Sequence, residues 1–212
     1  MKILLIAATR MEIQPLVEFI KQSDYNSQIQ LLITGVGMVS TTFKLTQHLT
    51  TNRYDVIVQF GIAGSYHMTD ELGKIYQVKE DTFGDLGAED TTQFIDIFDM
   101  ELPLDDNIYI KKAIPNPYSI SNLPKAKGLT VNTCSGKQTT IDMRKHKYDV
   151  DIETMEGAAL HYVAHQLGCK YLQIRAISNH VIPRDRETWN MKLAIENLNN
   201  FAISWLQNTM QN

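Results

Sequence analysis

Near its C-terminal end the chain reads Arg175-Ala176-Ile177-Ser178-Asn179-His180-Val181-Ile182-Pro183-Arg184-Asp185-Arg186-Glu187-Thr188-Trp189, a buried-type strand that runs into an amide, two arginines and an aromatic. Such a strand presents Asn179 beyond the sheet edge, and open α/β sheets bind ligands outside the carboxyl ends of their strands. Two carboxylates are candidates to act with it. In Thr154-Met155-Glu156-Gly157-Ala158-Ala159, Glu156 opens a helix among tiny or apolar neighbours, placed to accept two hydroxyls or simply to favour the positive end of the helix. Glu12 falls in the first turn after Thr9, a suitable N-cap, and has the same two readings.

Glycines stand where a ligand would approach backbone. Gly35-Val36-Gly37 follows one strand and opens a helix, and Phe60-Gly61-Ile62-Ala63-Gly64-Ser65 repeats the device after the next. Each is a turn that exposes amides or one that packs a strand closely on a helix. Together they predict a shared crevice lined by Gly37, Ile62, Ala63 and Gly64. The first is not a dinucleotide fingerprint, because Ser40 occupies the third glycine position and no acidic residue follows at the customary distance. His161 and His165 are four apart, but without a HExxH glutamate or a third ligand they read as surface histidines rather than a metal site. Neither a Gly-x-Ser-x-Gly elbow nor a Walker loop occurs.

The elements that must position these groups alternate short apolar runs with longer helical periods, which is the pattern of an α/β fold. Strands are expected at Ile3–Ala8, Gln30–Thr34, Asp55–Phe60, Ile75–Val78, Leu129–Cys134 and Tyr171–Ser178, and helices at Glu12–Lys21, Val39–Leu49 and Glu156–Leu167, the last stopped by Gly168. A final helix from about Arg186 to Asn208 would place Trp189 on its apolar stripe. The segment 81–107 carries nine acidic residues and neither Lys nor Arg, with the proline-bearing Ile114-Pro115-Asn116-Pro117-Tyr118 beyond it. It reads as an irregular excursion: a solvated loop, a lid or a subunit contact.

With 212 residues the chain suits a single domain spanning 1–212. A net charge of −4 argues against a nucleic-acid partner, which requires a basic face. Cys134 and Cys169 are too far apart for a CxxC pair and are expected to be buried small residues in a reducing compartment. The apolar Met1–Ala8 is too short for a signal-peptide core, and no other stretch is long enough to cross a bilayer. A cytoplasmic protein with no membrane partner is expected.

Taken in order, Glu12, Gly35-Val36-Gly37, Gly61-Ile62-Ala63-Gly64, Ser135-Gly136, Met155-Glu156 and Arg175-Ala176-Ile177-Ser178-Asn179 resemble the nucleoside phosphorylase and hydrolase family, in its methylthioadenosine nucleosidase branch. The resemblance covers nearly the whole chain and implies a three-layer αβα sandwich around a mostly parallel, mixed central sheet. That branch normally has Asp where Asn179 stands. The run Ser178-Asn179-x-Val181-x-x-Arg184-Asp185-Arg186-x-x-Trp189, with Gly84-Asp85-Leu86-Gly87-Ala88-Glu89-Asp90, is instead similar to futalosine hydrolases, which release hypoxanthine from futalosine in a menaquinone pathway.

The resemblance implies Glu12 as the water-activating glutamate, Glu156 as the ribose-binding one, Met155 lining the sugar and Gly136 in the substrate site. Chemistry supports the amide independently of the family. Asn179 can give its NH₂ to O6 and its carbonyl oxygen to a protonated N7, which suits a 6-oxopurine. Arg184, Arg186 and Trp189 are candidates, by type and neighbourhood, for the 5′ benzoate of futalosine. Two departures matter. Lys137-Gln138-Thr139 replaces the aromatic that stacks on the base in the nucleosidase branch, and the arginine that phosphorylases place ahead of the Gly61-Ile62-Ala63-Gly64 run is missing, so water is the expected nucleophile. The resemblance implies a cofactor-free homo-oligomer, a dimer or larger, acting on a purine nucleoside. A methylthioadenosine or adenosylhomocysteine nucleosidase, an inactive purine-binding sensor and a dinucleotide-binding module stand as alternatives.

Overall fold

A computed structural model describes residues 1–91, 93–102, 113–116, 118–120 and 122–211. Strand β1 (Ile3–Ala7) is buried at every position, and its alternate side chains enter two different cores. Ile3, Leu5 and Ala7 pack with Leu16, Val17 and Ile20 of α1 (Arg10–Gln22) and with Ala194, Leu198, Ala202 and Leu206 of α5 (Met191–Met210). Leu4 and Ile6 face the opposite way, against Leu45 and Leu49 of α2 (Met38–Thr51) and Leu160, Val163 and Ala164 of α4 (Gly157–Gln166). Successive residues of a strand point to opposite faces, so a continuous apolar run requires helices on both. This gives three layers, helix, sheet, helix, as expected.

The sheet is mixed and mostly parallel. Besides β1 it contains β2 (Ile29–Ile33), β3 (Val56–Ser65), β4 (Ile75–Phe83), the short β7 (Ile114–Pro115), β8 (Lys125–Thr130), β9 (Ile152–Thr154) and β10 (Tyr171–His180). Strand β1 lies between β2 and β3, parallel to both. The long β3 then pairs with β10 in parallel and with β9 antiparallel at its far end. Because β10 meets β4, β4 meets β8 and β8 meets β9, these five strands form a closed circuit, with β1 and β2 as an open wing.

Several sequence expectations need correction. The Gly61–Gly64 run is not a turn: it continues β3 to Ser65, because its partners β10 and β9 extend the ladder that far. The strand expected at Leu129–Cys134 lies earlier, at Lys125–Thr130, and residues 132–134 leave the sheet, the Asn132 and Thr133 amides bonding to Asp85 instead. Helix α3 (Gln138–Lys147) and strand β9 were not foreseen, the first because its sequence is almost wholly polar. The last helix begins at Met191, capped by Asn190 through the amide of Leu193, so Trp189 precedes it. The acidic segment is largely ordered structure: Asp81 is buried within β4, and β5 (Gly87–Asp90) and β6 (Gln93–Asp96) form a hairpin. Its portion at 103–107, and Pro117, lie outside the described residues.

Two buried-or-exposed expectations are reversed. Cys134 is exposed, since it sits on the 132–137 loop rather than in a strand, and Cys169 is half-buried. His161 is fully buried on the inner face of α4, its Nδ1 2.9 Å from the Ile114 carbonyl, and burial lowers its pKa to about 4. Among the described residues no group of three or more His, Cys, Asp or Glu could hold a metal ion. No described helix is long and apolar enough to cross a membrane.

Candidate active site

Glu12 is positioned by a local device that its sequence spells out. Thr9 caps α1, and in a reciprocal capping box the Thr9 amide and hydroxyl donate to Glu12 Oε2 at 2.9 and 2.8 Å. The other carboxylate oxygen, Oε1, accepts from the Ile62 amide at 3.3 Å, which ties the helix start to the middle of β3. The carboxylate is thereby fixed at 7 % exposure, facing a cavity instead of solvent.

Immediately after Glu12 the helix kinks. Ile13 has φ −128° and ψ 17°, and Pro15 has no amide hydrogen to return to the preceding turn. The missing bond between the Leu16 amide and the Glu12 carbonyl is bridged by a side chain from α5. Asn199 Oδ1 accepts from Leu16 at 3.0 Å, and its Nδ2 donates to the Glu12 carbonyl at 2.9 Å. An inserted amide of this kind holds a kink at a fixed angle.

Glu156 approaches the same cavity from the loop between β9 and α4. Its Oε1 accepts from the Gly37 amide at 3.0 Å, and its Oε2 lies 3.6 Å from Arg175 Nη1. Gly37 has φ +91°, in the left-handed region that glycine adopts without strain, so its exposed amide is spent on Glu156. Burial pushes the Glu156 carboxyl above the ordinary carboxylate range, while Arg175 and the Gly37 amide pull it back. Arg175 is 1 % exposed and donates from Nη2 to Gln59 Oε1 at 2.8 Å. It occupies space that Gly61 leaves free: a Cβ on Gly61 would stand 2.1 Å from Nη1 and 3.2 Å from Glu12 Oε1. Gly61 thus lets a buried guanidinium lie beneath both carboxylates, a role its sequence did not reveal.

Asn179 is the penultimate residue of β10, one register shift after Ile177. Its Nδ2 donates to the His180 carbonyl at 3.0 Å, and its Oδ1 accepts from the Ser178 hydroxyl at 2.8 Å. The opposite placement of the amide would set two carbonyl-type oxygens face to face, so this one is fixed. One N–H and one lone pair remain on the side chain for a ligand.

Glu12, Ile62, Ala63, Gly64, Met155, Glu156, Asn179, Arg184 and Trp189, all singled out from the sequence, line one cavity of about 310 Å³. The Arg184 guanidinium carbon sits 5.3 Å from the centre of the Trp189 ring, a cation–π distance. Gly37 and Gly136 act one step back: Gly37 holds Glu156, and the Gly136 carbonyl accepts from the Arg184 amide at 3.2 Å. Arg186 is exposed in a short 3₁₀ turn and does not line the cavity. Sequence reading missed Met11, Cys134, Glu153 and Met191, which also line it.

The phosphorylase superfamily model matches residues 129–207. The chain's sequence relatives include the futalosine hydrolases of Acidothermus cellulolyticus, 26 % identical over 82 % of this chain and 73 % of that protein, and of Thermus thermophilus, 27 % identical over 79 % and 76 %. Among solved structures, the native futalosine hydrolase of Helicobacter pylori superposes with a TM-score of 0.81 at 16 % identity, covering 98 % of this chain and 97 % of that one. The methylthioadenosine/adenosylhomocysteine nucleosidase of Neisseria meningitidis, solved with methylthio-immucillin-A, gives 0.79 at 14 % identity, covering 98 % and 99 %.

Proposed function

We propose that this chain hydrolyses the N-glycosidic bond of futalosine, releasing hypoxanthine and dehypoxanthine futalosine in menaquinone biosynthesis. The observation that carries this reading is the convergence of Glu12, Glu156 and Asn179 on one cavity that also holds the Arg184–Trp189 pair. Water attacks C1′ while the bond from C1′ to N9 breaks, through a sugar with oxocarbenium character. Glu12 takes the proton of the attacking water as general base. Hypoxanthine leaves as a neutral base after N7 is protonated from solvent or through a water, since Asn179 has no proton of its own to transfer. The Asn179 carbonyl oxygen holds the N7–H, and its free N–H donates to O6. Glu156 binds the 2′ and 3′ hydroxyls, Met155 lines the sugar, and backbone at Ile62–Gly64 lets the ring approach closely.

The 5′ benzoate is met by Arg184, with Trp189 as its apolar wall; Arg186, being outside the cavity, has the weaker support. No cofactor takes part. The reaction runs in the cytoplasm, where the free thiols of Cys134 and Cys169 stay reduced. The enzyme works as a homo-oligomer. Val36, Val39 and Phe43 support this, being 56, 81 and 65 % exposed beside the site, an apolar patch suited to a second copy.

The decisive experiment incubates the pure protein, without phosphate, with futalosine, inosine, methylthioadenosine and adenosylhomocysteine, and identifies the free base by chromatography. Hypoxanthine from futalosine is the expected product. Adenine release would assign the chain to the nucleosidases instead, and a requirement for phosphate would make it a phosphorylase.

A further inference from the structure

A third carboxylate faces the cavity, and neither the sugar nor the attacking water uses it. Glu153 pairs with Gly64 across β9 and β3, and Gly64 pairs with Asn179 across β3 and β10. The three residues therefore form one row, with glycine in the middle and an amide and a carboxylate on either side. Strands are spaced by roughly 4.8 Å, so the outer backbones stand about 10 Å apart. Their side chains share both the main cavity and a smaller one of about 60 Å³ bounded by Gly64, Cys134, Ser135 and Val181. A Cβ on Gly64 would lie 3.1 Å from Asn179 Nδ2, so glycine keeps the floor between them open.

Glu153 is 6 % exposed and held from several sides, but unequally. Its Oε2 accepts from the Ser135 hydroxyl at 2.6 Å, the Tyr66 hydroxyl at 2.7 Å and Arg144 Nη1 at 3.2 Å. Its Oε1 accepts only from the Ser135 amide, at 2.7 Å, among the described residues. Each carboxylate oxygen offers about two acceptor sites, so Oε1, with one donor among the described residues, keeps one for a ligand. Arg144 is fixed in turn by the Thr133 carbonyl and lies 3.7 Å from Asp85.

We propose that Glu153 is a specificity-determining residue whose Oε1 accepts the N1–H of the 6-oxopurine that Asn179 holds by O6 and N7. The inference rests on the reading of the site as a purine nucleoside hydrolase. On a 6-oxopurine, O6 accepts and the neighbouring N1–H donates; on a 6-aminopurine both roles are reversed. The row presents a donor at Asn179 and an acceptor at Glu153, in the order that the 6-oxopurine matches. A 6-aminopurine would set the N1 lone pair against a carboxylate and its amine against an NH₂. Buried polar groups left unpaired reject a ligand far more strongly than a change of shape does.

The test compares kcat/KM for futalosine and for its 6-amino counterpart, in the wild-type protein and in Glu153→Gln. We expect the wild type to favour the 6-oxo substrate, and the variant to lose tenfold or more on that substrate while losing less, or gaining, on the other. A fall of equal proportion on both would mean that Glu153 only anchors the 132–137 loop, and would overturn the proposal. Equilibrium binding of free bases to the wild type gives an answer even if the variant does not fold. Hypoxanthine should bind at least tenfold tighter than 1-methylhypoxanthine and than adenine, and equal affinities would refute the assignment. Base discrimination in a protein that cleaves no nucleoside would support the Glu153 assignment and defeat the hydrolase reading instead.

Discussion

Replacing Asn199 by Leu tests whether α5 sets the position of Glu12. The side chain is 2 % exposed and makes three bonds at once: to the Leu16 amide at 3.0 Å, the Glu12 carbonyl at 2.9 Å and the Ile195 carbonyl at 2.7 Å. The Ile195 bond is internal to α5 and its loss is minor. The other two leave an amide and a carbonyl without partners, in a helix that Ile13 and Pro15 keep from closing directly. Each unsatisfied buried group costs about 1–3 kcal/mol, so about 2–4 kcal/mol is expected, allowing for partial reclosure of the helix. For a chain of this length each kcal/mol lowers Tm by about 2–4 °C, which gives a fall of roughly 4–16 °C by scanning calorimetry. Because the freed carbonyl is that of Glu12, kcat on futalosine should fall about tenfold or more with KM little changed, as expected of a misplaced base. An Asn199→Leu protein with Tm within about 1 °C of wild type and unaltered kcat would show that the bridge neither stabilises the kink nor positions the carboxylate.

Three other perturbations reach different parts of the site. Glu12→Gln keeps the shape but removes the proton acceptor, so kcat should fall by about 10²–10⁴ with substrate binding largely kept; a fully active variant would end its assignment as general base. Gly61→Ala puts a methyl 2.1 Å from a guanidinium that Gln59 and Glu156 hold. Overpacking of this kind costs about 1–3 kcal/mol, and both a lower Tm and a weaker KM are expected, whereas wild-type values for both would show that Arg175 shifts freely. Burial raises the Asp81 carboxyl from 3.8 to about 6. Between about pH 4 and 6 the folded state keeps a proton that the unfolded chain has released, so this group's contribution falls as pH rises through that window, by about 3 kcal/mol at ~1.4 kcal/mol per unit. Relative to wild type, Asp81→Asn should therefore have a higher Tm at pH 8 than it has at pH 4, and an equal difference at both pH values would contradict the assignment.

Legibility from sequence divides along a physical line. The α/β class could be read because β1, β3 and β10 are buried on both faces, and a run such as Ile3–Ala7 has no other soluble use. Glu12 and its cap could be read because a capping box is local: Thr9 and Glu12 lie within one turn. Asn179 could be read because it breaks an apolar strand at its carboxyl end. What escaped was set by partners far along the chain. Asn199 acts on Glu12 across 187 positions, and Glu153 reaches Tyr66 across 87.

The glycines show the same division in one motif. Gly61-Ile62-Ala63-Gly64 suggests a turn because glycine is the usual residue of turns. In the fold both glycines instead lie in a strand, and each clears side chains of β10 or of the residue just after it: Arg175 over Gly61, Asn179 and Val181 over Gly64. Glycine inside a strand marks the close approach of something else, and what approaches is decided by the pairing register between β3 and β10. That register puts Arg175 opposite Gly61 and, after a one-residue shift, Asn179 opposite Gly64. Without the shift the Ser178 side chain would take the place of the amide, and the row that joins Asn179 to Glu153 would not exist. The irregularity after Ile177 is thus the feature on which the proposed base recognition depends, and no periodicity in the sequence announces it.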